Sequence, residues 1–428
     1  MIPDDALRPR QTTMLRISVS VAVGLALAIG CQRGPATAPA ASSSQPAVPA
    51  PEDRLIRVLL AADKPVFTIT TACPAAWVDP ATGEVVAEVP TGRSLSVYFT
   101  DAGIGTDDLP DAEALDILDL VPRDAKPCTA AWSGQSPERF PGRMRFIRVG
   151  PGVGHLVNVV DIEDYLASVV AAELDRRYHL ETFRAQAIVA RTYAWFRRGT
   201  GNPRNLWDVT ATESAQVYPG LSRLEQVPLA GRAVRDTYGL VCTWESPDGW
   251  RIFCTYYSSA CGGSTQSADA IRNGSAIPPL AGNVACPCCE EGHCAWGPLS
   301  LTKSFVTSQL HGRYSRLESL GTISRISVRE TTESGRPITL TVGNDSDQEL
   351  SIEAENFRLA IDPTGRRLRS TLFSLVDDDS EVRFEDGRGF GHGVGLCQAG
   401  AEIFARRGRT AGEILRHYYP TSRLRRAY

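Results

Sequence analysis

Three features of this 428-residue chain have residue types and spacing that could do chemistry: one misplaced carboxylate, a glycine-rich loop and a crowd of cysteines. Leu166, Val169 and Val170 form an apolar stripe at helical spacing, and Glu173 takes the next position on it. A carboxyl group continuing an apolar face breaks the local pattern, and such breaks concentrate at functional sites. Partial burial disfavours the charged form and raises the pKa, which a general acid near neutral pH requires. The same spacing also fits a helix that ends at Glu173 and turns it out to water.

Gly389, Gly391, Gly393 and Gly395 alternate with other residues just before a helical pattern. Such a loop can approach a ligand closely and aim backbone N–H groups from a helix N-terminus. It can equally be a tight turn that packs the last helices. No Gly-Lys-Ser/Thr follows, so it is not a phosphate loop, and it lacks dinucleotide-binding spacing. His392 is the polar residue at its centre.

Six of the eleven cysteines fall between Cys254 and Cys294. Cys286-x-x-Cys289, with Cys261 upstream and Cys254 or Cys294 nearby, resembles a zinc site. Four protein ligands leave no open position, so such a zinc would be structural. Disulfides are the leading alternative and an iron–sulfur centre a third. Cys73 and Cys128 could pair with each other, whereas Cys242 and Cys397 read as buried small apolar residues. No H-E-x-x-H or comparable motif supports a catalytic metal.

The elements that must position these groups begin with an export signal. Arg8, Arg10 and Arg16 precede an apolar run from Ile17 to Ile29, too short to span a bilayer comfortably and shaped like a signal-peptide core. Ala28-Ile29-Gly30-Cys31 resembles a lipobox, although Ala28 stands where leucine is commoner, and Met14 could be the true start. Residues 1–31 are therefore expected to be a lipoprotein signal peptide with the lipid on Cys31. Residues 32–53, rich in Ala, Pro and Ser, read as a disordered tether. Together they place the folded part outside the cytoplasm as a membrane-anchored lipoprotein. A formal charge of -4 supplies no field to draw in nucleic acid.

Residues 54–142 read as a small β-rich region, with runs such as Arg57-Val58-Leu59-Leu60 and Leu95-Ser96-Val97-Tyr98-Phe99 separated by turn signals. The acidic stretch from Asp101 to Asp124 reads as a solvated surface insertion. A second β pair, Arg145 to Val149 and Leu156 to Val160, leads into a helix from about Ile162 to Leu174 and another from about Thr182 to Arg198. Later strands are expected over Ile323 to Val328 and Thr339 to Val342. Gly408 can end a helix in a left-handed conformation, and Thr410 with Glu413 has capping-box spacing. The expected class is α+β, a β-rich N-terminal unit joined to a helix-containing catalytic core with mixed strands over residues 143–428.

Several motifs occur in order along this frame: Asn158-Val159-Val160-Asp161-Ile162-Glu163-Asp164-Tyr165-Leu166 with Val169 and Glu173; Arg184-Ala185-Gln186-Ala187-Ile188-Val189-Ala190-Arg191-Thr192-Tyr193-Ala194; Gln216-Val217-Tyr218 with Gly220; Thr237 with Gly239; Cys261-Gly262-Gly263 with Thr265; and Gly389 through Gln398. Over roughly residues 55–425 the chain resembles the stage II sporulation protein D family, also called the SpoIID/LytB domain. The resemblance implies that Glu173 is the catalytic acid of a lytic transglycosylase acting on peptidoglycan glycan strands that an amidase has stripped of stem peptides. It implies substrate-groove roles for Gln216 and Tyr218, with His392 and Gln398 as further site residues. A non-catalytic glycan-binding protein that enhances an amidase is the alternative. Ordinary glycosidases use two carboxylates, and Asp208 and Glu213 are candidates for a second.

Family members often carry a histidine three residues before the cysteine of the Cys-Gly-Gly motif, and here that position is Ser258. Cys254 is the economical replacement, giving Cys254, Cys261, Cys286 and Cys289 as the expected zinc ligands. Cys288, His293 and Cys294 are its competitors.

Overall fold

The computed structural model describes residues 54–109, 115–202, 204–271, 274–290 and 294–428. The signal peptide, Cys31, the tether and His293 lie outside these residues. Among the described residues, no helix is long and apolar enough to cross a membrane. Helices and strands mix in several sheets, as the α+β expectation had it.

Burial alternates along the first part of Leu55–Lys64, whereas Val153–Asp161 is buried without a break from Leu156 to Val160, as a central strand covered on both faces is. These two pair antiparallel, Leu59 opposite Val157, and Val153–Asp161 pairs on its other side with Arg143–Gly150. The resulting seven-stranded sheet runs in the order Val209–Thr210, Leu55–Lys64, Val153–Asp161, Arg143–Gly150, Ile117–Pro122, Ala75–Val78, Val85–Val89. Leu156 and Val160 face the main core, while Val157 and Val159 face the opposite side with Leu59 and Trp207. A five-stranded sheet contributes Phe67, whose ring centroid lies 6.0 Å from that of Phe146 in the first sheet. Trp77 packs on the same Phe146 at 5.8 Å.

This sheet corrects two expectations. The boundary placed at residue 142 falls inside it, because Arg143–Gly150 pairs back onto Ile117–Pro122. The acidic stretch is not solvated throughout either: within it Ile117–Pro122 is an interior strand with Leu118 and Leu120 fully buried, while Asp101, Asp107 and Asp116 are exposed. Asp119, directly opposite Arg145, accepts from its Nε and Nη2 at 2.7 and 2.8 Å, so the charge is paired across the strands.

The central strand Val153–Asp161 ends where helix α1, Ile162–Glu173, begins. Asp161 caps the helix by accepting from the Glu163 N–H at 2.8 Å. Helix α2, Leu180–Thr200, buries an alanine-rich stretch and the fully buried Arg191. Arg191 grips the Glu163 carboxylate at 2.8 and 2.7 Å and donates to the carbonyls of Val234 and Leu240. The motif arginine therefore ties α1 and α2 to the end of α4, Pro228–Asp236, which follows the short α3, Leu221–Gln226.

Residues 299–385 hold two three-stranded sheets with α5, Lys303–Arg313, and α6, Ala354–Ile361, around a separate core that includes Leu310, Leu340, Phe357 and Phe384. The expected strands appear as Arg325–Thr331 and Pro337–Gly343. Ala295–Trp296 pairs with Gly387–Arg388, so the chain leaves and returns at one place. Then α7, Gln398–Arg406, and α8, Ala411–Tyr418, pack on α2. Gly408 has φ +86° between them, and Thr410 with Glu413 forms the expected capping box.

Candidate active site and thiol cluster

Tyr165, Val169 and Glu173 recur every four residues along one face of α1. Glu173 is the last helical residue, and its side chain is half-buried where four segments meet. Its Oε1 accepts from the Val217 N–H at 3.3 Å and from the Tyr257 hydroxyl at 3.1 Å. The Gln398 side chain hydrogen-bonds it as well. Burial pushes the Glu173 carboxyl up, the three hydrogen bonds pull it down, and the nearby Glu213 charge adds to the upward push. The net direction is upward.

Behind the acid lies a relay of buried side chains. The Tyr165 hydroxyl donates to Gln216 Oε1 at 3.1 Å, and Gln216 Nε2 donates to the Tyr257 hydroxyl at 3.3 Å and to the Ala190 carbonyl at 3.4 Å. Gln216 has no exposed surface, so it holds Tyr257 and through it Glu173. Tyr218 is only 2% exposed. Its hydroxyl donates to Asn158 Oδ1 at 2.9 Å and its ring packs 4.9 Å from that of Tyr165. The Gln216-Val217-Tyr218 motif is thus split: one buried support, one backbone donor on the acid, and one core aromatic that does not line a surface.

Residues around the glycine loop explain why it needs glycine. All four glycines have positive φ, between +71° and +91°. A Cβ at Gly395 would sit 2.0 Å from the Tyr256 carbonyl oxygen, and one at Gly393 would sit 2.8 Å from Arg336 Nη2. The loop threads between protein segments: Phe390 and Ala260 exchange hydrogen bonds, and Gln266 N–H reaches the Gly393 carbonyl. This is the tight packed turn of the two readings. His392 Nδ1 accepts from the Val394 N–H at 3.0 Å, and its ring also bonds the Tyr257 backbone. Burial lowers its pKa to about 4, so the ring is neutral near pH 7. His392 therefore meets Glu173 only through Tyr257. Gln398, by contrast, touches the acid and also donates to Gln186 Oε1 at 3.4 Å.

The two candidates for a second carboxylate separate. Asp208 is clasped by Arg57, receiving its backbone N–H at 2.8 Å and its guanidinium at 2.6 and 3.2 Å. Glu213 is exposed and close enough to Glu173 to act on its charge.

The thiols gather into a different set from the expected one. Cys261 and Cys286 come together with Cys288 and Cys397, all four sulfurs within 4.8 Å of one another. A second group, Cys288, Cys289 and Cys294, shares Cys288 with the first. Cys254 belongs to neither: it packs at the main core beside Tyr193 and Tyr256, and burial pushes its thiol up to about 11. Cys397, read as a small apolar residue, lies at the N-cap of α7. Its sulfur accepts from the Cys261 and Gly400 N–H groups at 3.3 and 3.4 Å. Cys286 Sγ lies 3.1 Å from the Tyr418 hydroxyl. All described cysteines are free thiols, Cys73 and Cys128 included. A donor set of four thiols at this spacing fits a soft tetrahedral ion such as zinc, whose bonds to sulfur of about 2.3 Å set ligand edges of roughly 3.8 Å.

Sequence reasoning missed Tyr257, the Val217 N–H and the role of Cys397, and it had Cys288 only as a competitor of Cys254. One signal was present for Cys397: it directly precedes Gln398 in the glycine-loop motif.

Residues 152–244 match the family described as Stage II sporulation protein, a stretch that contains Glu173, Gln216 and Tyr218. Residues 299–395 match a domain of unknown function, DUF8618, covering the inserted module and most of the glycine loop. An uncharacterized protein of Brachyspira hyodysenteriae is 30% identical over 265 residues, 62% of this chain and 66% of that protein. Stage II sporulation protein D of Bacillus amyloliquefaciens is 27% identical over 279 residues, 62% of this chain and 74% of the relative. The amidase enhancer of Bacillus subtilis is 26% identical over 302 residues, 60% of this chain and 40% of the relative. The chain thus spans just under two thirds of the first of these proteins and well under half of the third.

Proposed function

The chain belongs to the stage II sporulation protein D family, a cell-wall-related family, and from that premise we propose that it is a peptidoglycan lytic transglycosylase with Glu173 as its single catalytic acid and base. The observation that carries the reading is the surroundings of Glu173. A half-buried carboxyl group at a helix end has its pKa raised by burial and its Oε1 fixed by Val217 and Tyr257.

The substrate is a glycan strand whose stem peptides have been removed. The protonated Glu173 gives its proton to the oxygen that links N-acetylmuramic acid to N-acetylglucosamine, and the bond from the anomeric carbon to that oxygen breaks. The Glu173 carboxylate then takes the proton of the muramic 6-hydroxyl as its oxygen bonds to the anomeric carbon. The product ends in 1,6-anhydro-N-acetylmuramic acid, no water is consumed, and Glu173 is protonated again. One carboxyl group suffices for this cycle. Hydrolysis by a carboxylate pair would need a second, for which Glu213 is the available group and Asp208, held by Arg57, is not.

In this reading Gln216 and His392 support Tyr257, Gln398 contacts the acid, and Tyr218 reaches the substrate only through the core it packs. A structural zinc ion is held by Cys261, Cys286, Cys288 and Cys397, where it fixes the segment carrying Gln398. The protein is exported and anchored to the membrane through lipid on Cys31. Incorporation of a fatty-acid analogue that is lost in Cys31→Ser tests the anchor.

The activity is tested by incubating the protein with denuded glycan strands and analysing the products by mass spectrometry. Anhydromuramic ends made by the wild type and absent with Glu173→Gln are the expected result. Full activity of that variant overturns the reading. The similarity to a protein named amidase enhancer favours a second reading, in which the chain binds glycan and stimulates an amidase without cutting. A Glu173→Gln protein that still binds glycan and still enhances the amidase, together with a wild type that forms no anhydro ends, selects it.

A further inference from the structure

The four-thiol group does not use all the sulfur in its neighbourhood. Cys288 is shared with Cys289 and Cys294, whose sulfurs with its own also lie within 4.8 Å of one another. Cys288 Sγ is 3.6 Å from Cys261 Sγ on one side and 3.9 Å from Cys289 Sγ on the other. Both distances match the roughly 3.8 Å edge of a tetrahedron of thiolates around zinc. Bonded sulfurs would lie about 2.05 Å apart. One sulfur at a common vertex of two such groups is the arrangement of a thiolate that bridges two ions.

We propose that this chain binds two soft divalent metal ions in a six-thiol cluster. One ion is held by Cys261, Cys286, Cys288 and Cys397, and the second by Cys288, Cys289 and Cys294, with Cys288 bridging them. The inference rests on the structural zinc reading for the first ion and adds the second. Binding requires the thiols to lose their protons to solvent, since the thiolate is the ligand. In the thiol form Cys294 Sγ lies 2.7 Å from the Cys288 carbonyl oxygen, and deprotonation ends that hydrogen bond and turns the sulfur to the metal.

Six thiolates and two divalent ions leave a formal charge of about −2 by simple addition of the charges, and the surroundings answer it. Two backbone N–H groups point at Cys397 Sγ, that of Cys261 and that of Gly400 in the first turn of α7, where the helix dipole favours negative charge. Arg336, 1% exposed, donates to the Cys261 carbonyl and to the Thr371 hydroxyl. Among the described residues it forms no ion pair, and both the Cys261 thiol of the cluster and the Glu355 carboxylate act on its charge. Gly400 completes the fit, because a Cβ there would meet Cys286 Sγ at 2.4 Å and the Tyr418 hydroxyl at 2.1 Å.

The two positions differ in the thiols that surround them. Among the described residues the first ion has four thiol ligands and the second has three, so the four-thiol ion is closed and the second exchanges more readily.

Native mass spectrometry and elemental analysis of the zinc-loaded full chain test this, since both count ions without reference to activity. The expected wild type carries two zinc ions, and a chromophoric chelator removes one at least tenfold faster than the other. Cys289→Ser and Cys294→Ser each carry one and keep the wild-type circular dichroism. A wild type with a single ion that Cys294→Ser retains overturns the second site and leaves the structural zinc standing. A wild type with none, or with a disulfide that includes Cys288 in peptide maps, overturns both, and a Cys289–Cys294 disulfide overturns the second site alone. Cobalt(II) titration of the wild type gives a readout that needs no variant: thiolate-to-cobalt absorption must rise to two equivalents, and saturation at one rules out the bridge.

Discussion

The Tyr257 hydroxyl donates to Glu173 Oε1 at 3.1 Å while accepting from Gln216 Nε2 at 3.3 Å. Glu173 is therefore held by a group whose own position is fixed from the core, and an acid fixed in this way spends little energy reorganising during reaction. Burial and this hydrogen bond act on its acidity in opposite directions, and the predictions follow from that opposition.

Replacing Glu173 with Gln removes the transferable proton and should lower turnover by at least about 100-fold, the lower end of what general acid–base catalysis contributes. It should also stabilise the fold at alkaline pH. A carboxyl whose folded pKa is raised contributes its full stability below the unfolded value of about 4.3 and loses it as pH rises through the folded value. Gln carries no such loss. Thermal melts should show the variant above the wild type at pH 8 and level with it below pH ~4.

Tyr257→Phe should cut turnover about tenfold, in keeping with loss of one hydrogen bond to a charged group. The carboxylate loses a stabilising donor, so the alkaline limb of the pH–rate profile should move to higher pH. A variant with reduced turnover but an unmoved limb would mean that Tyr257 acts only as packing.

Asp208→Ala should leave the anhydro product and its rate unchanged while costing about 1–3 kcal/mol of stability, because the Arg57 guanidinium loses its main acceptor. Glu213→Gln should also keep the anhydro product, and by removing a neighbouring negative charge it should move the alkaline limb to lower pH. A switch from hydrolysed to anhydro ends in Glu213→Gln would instead identify a carboxylate pair.

Gly395→Ala and Gly408→Ala share a positive φ and differ in space. At Gly395 the methyl meets the Tyr256 carbonyl at 2.0 Å, so the cost should be at least about 2 kcal/mol and activity should fall with it. At Gly408, φ +86°, nothing lies within 4 Å, and only the backbone term of about 1–2 kcal/mol remains. Chemical denaturation of the two variants separates space from conformation.

Glu173 was legible because a helix announces its faces through a short period, so one charge on the apolar stripe stands out within two turns. The capping box at Thr410 and Glu413 was legible for the same local reason. Asp119 misled because its acidity could be read but not its partner: Arg145 lies 26 residues away on the next strand. Cys397 could not be assigned to the thiols because 136 residues separate it from Cys261, and spacing carries information only where the chain is continuous. Tyr257 belongs to a strand of two residues, too short for any alternation to appear. Tyr218 was legible as part of a motif, but a motif does not say whether an aromatic ring turns to the groove or to the core.

The parallel pairing of Tyr257–Ser258 with Leu396–Cys397 sets an order of events in folding. Helix α1 and its carboxyl group can form early from local contacts, but Tyr257 comes from 84 residues downstream and Gln398 arrives only after the module between them has folded and brought its ends together. Contacts so distant in sequence form late, after the entropy of closing the loop has been met. The newly made chain should therefore pass through a stage with most of its helices and sheets in place and an ordinary, water-exposed glutamate, which becomes an acid of altered strength only when the last long-range pairing closes.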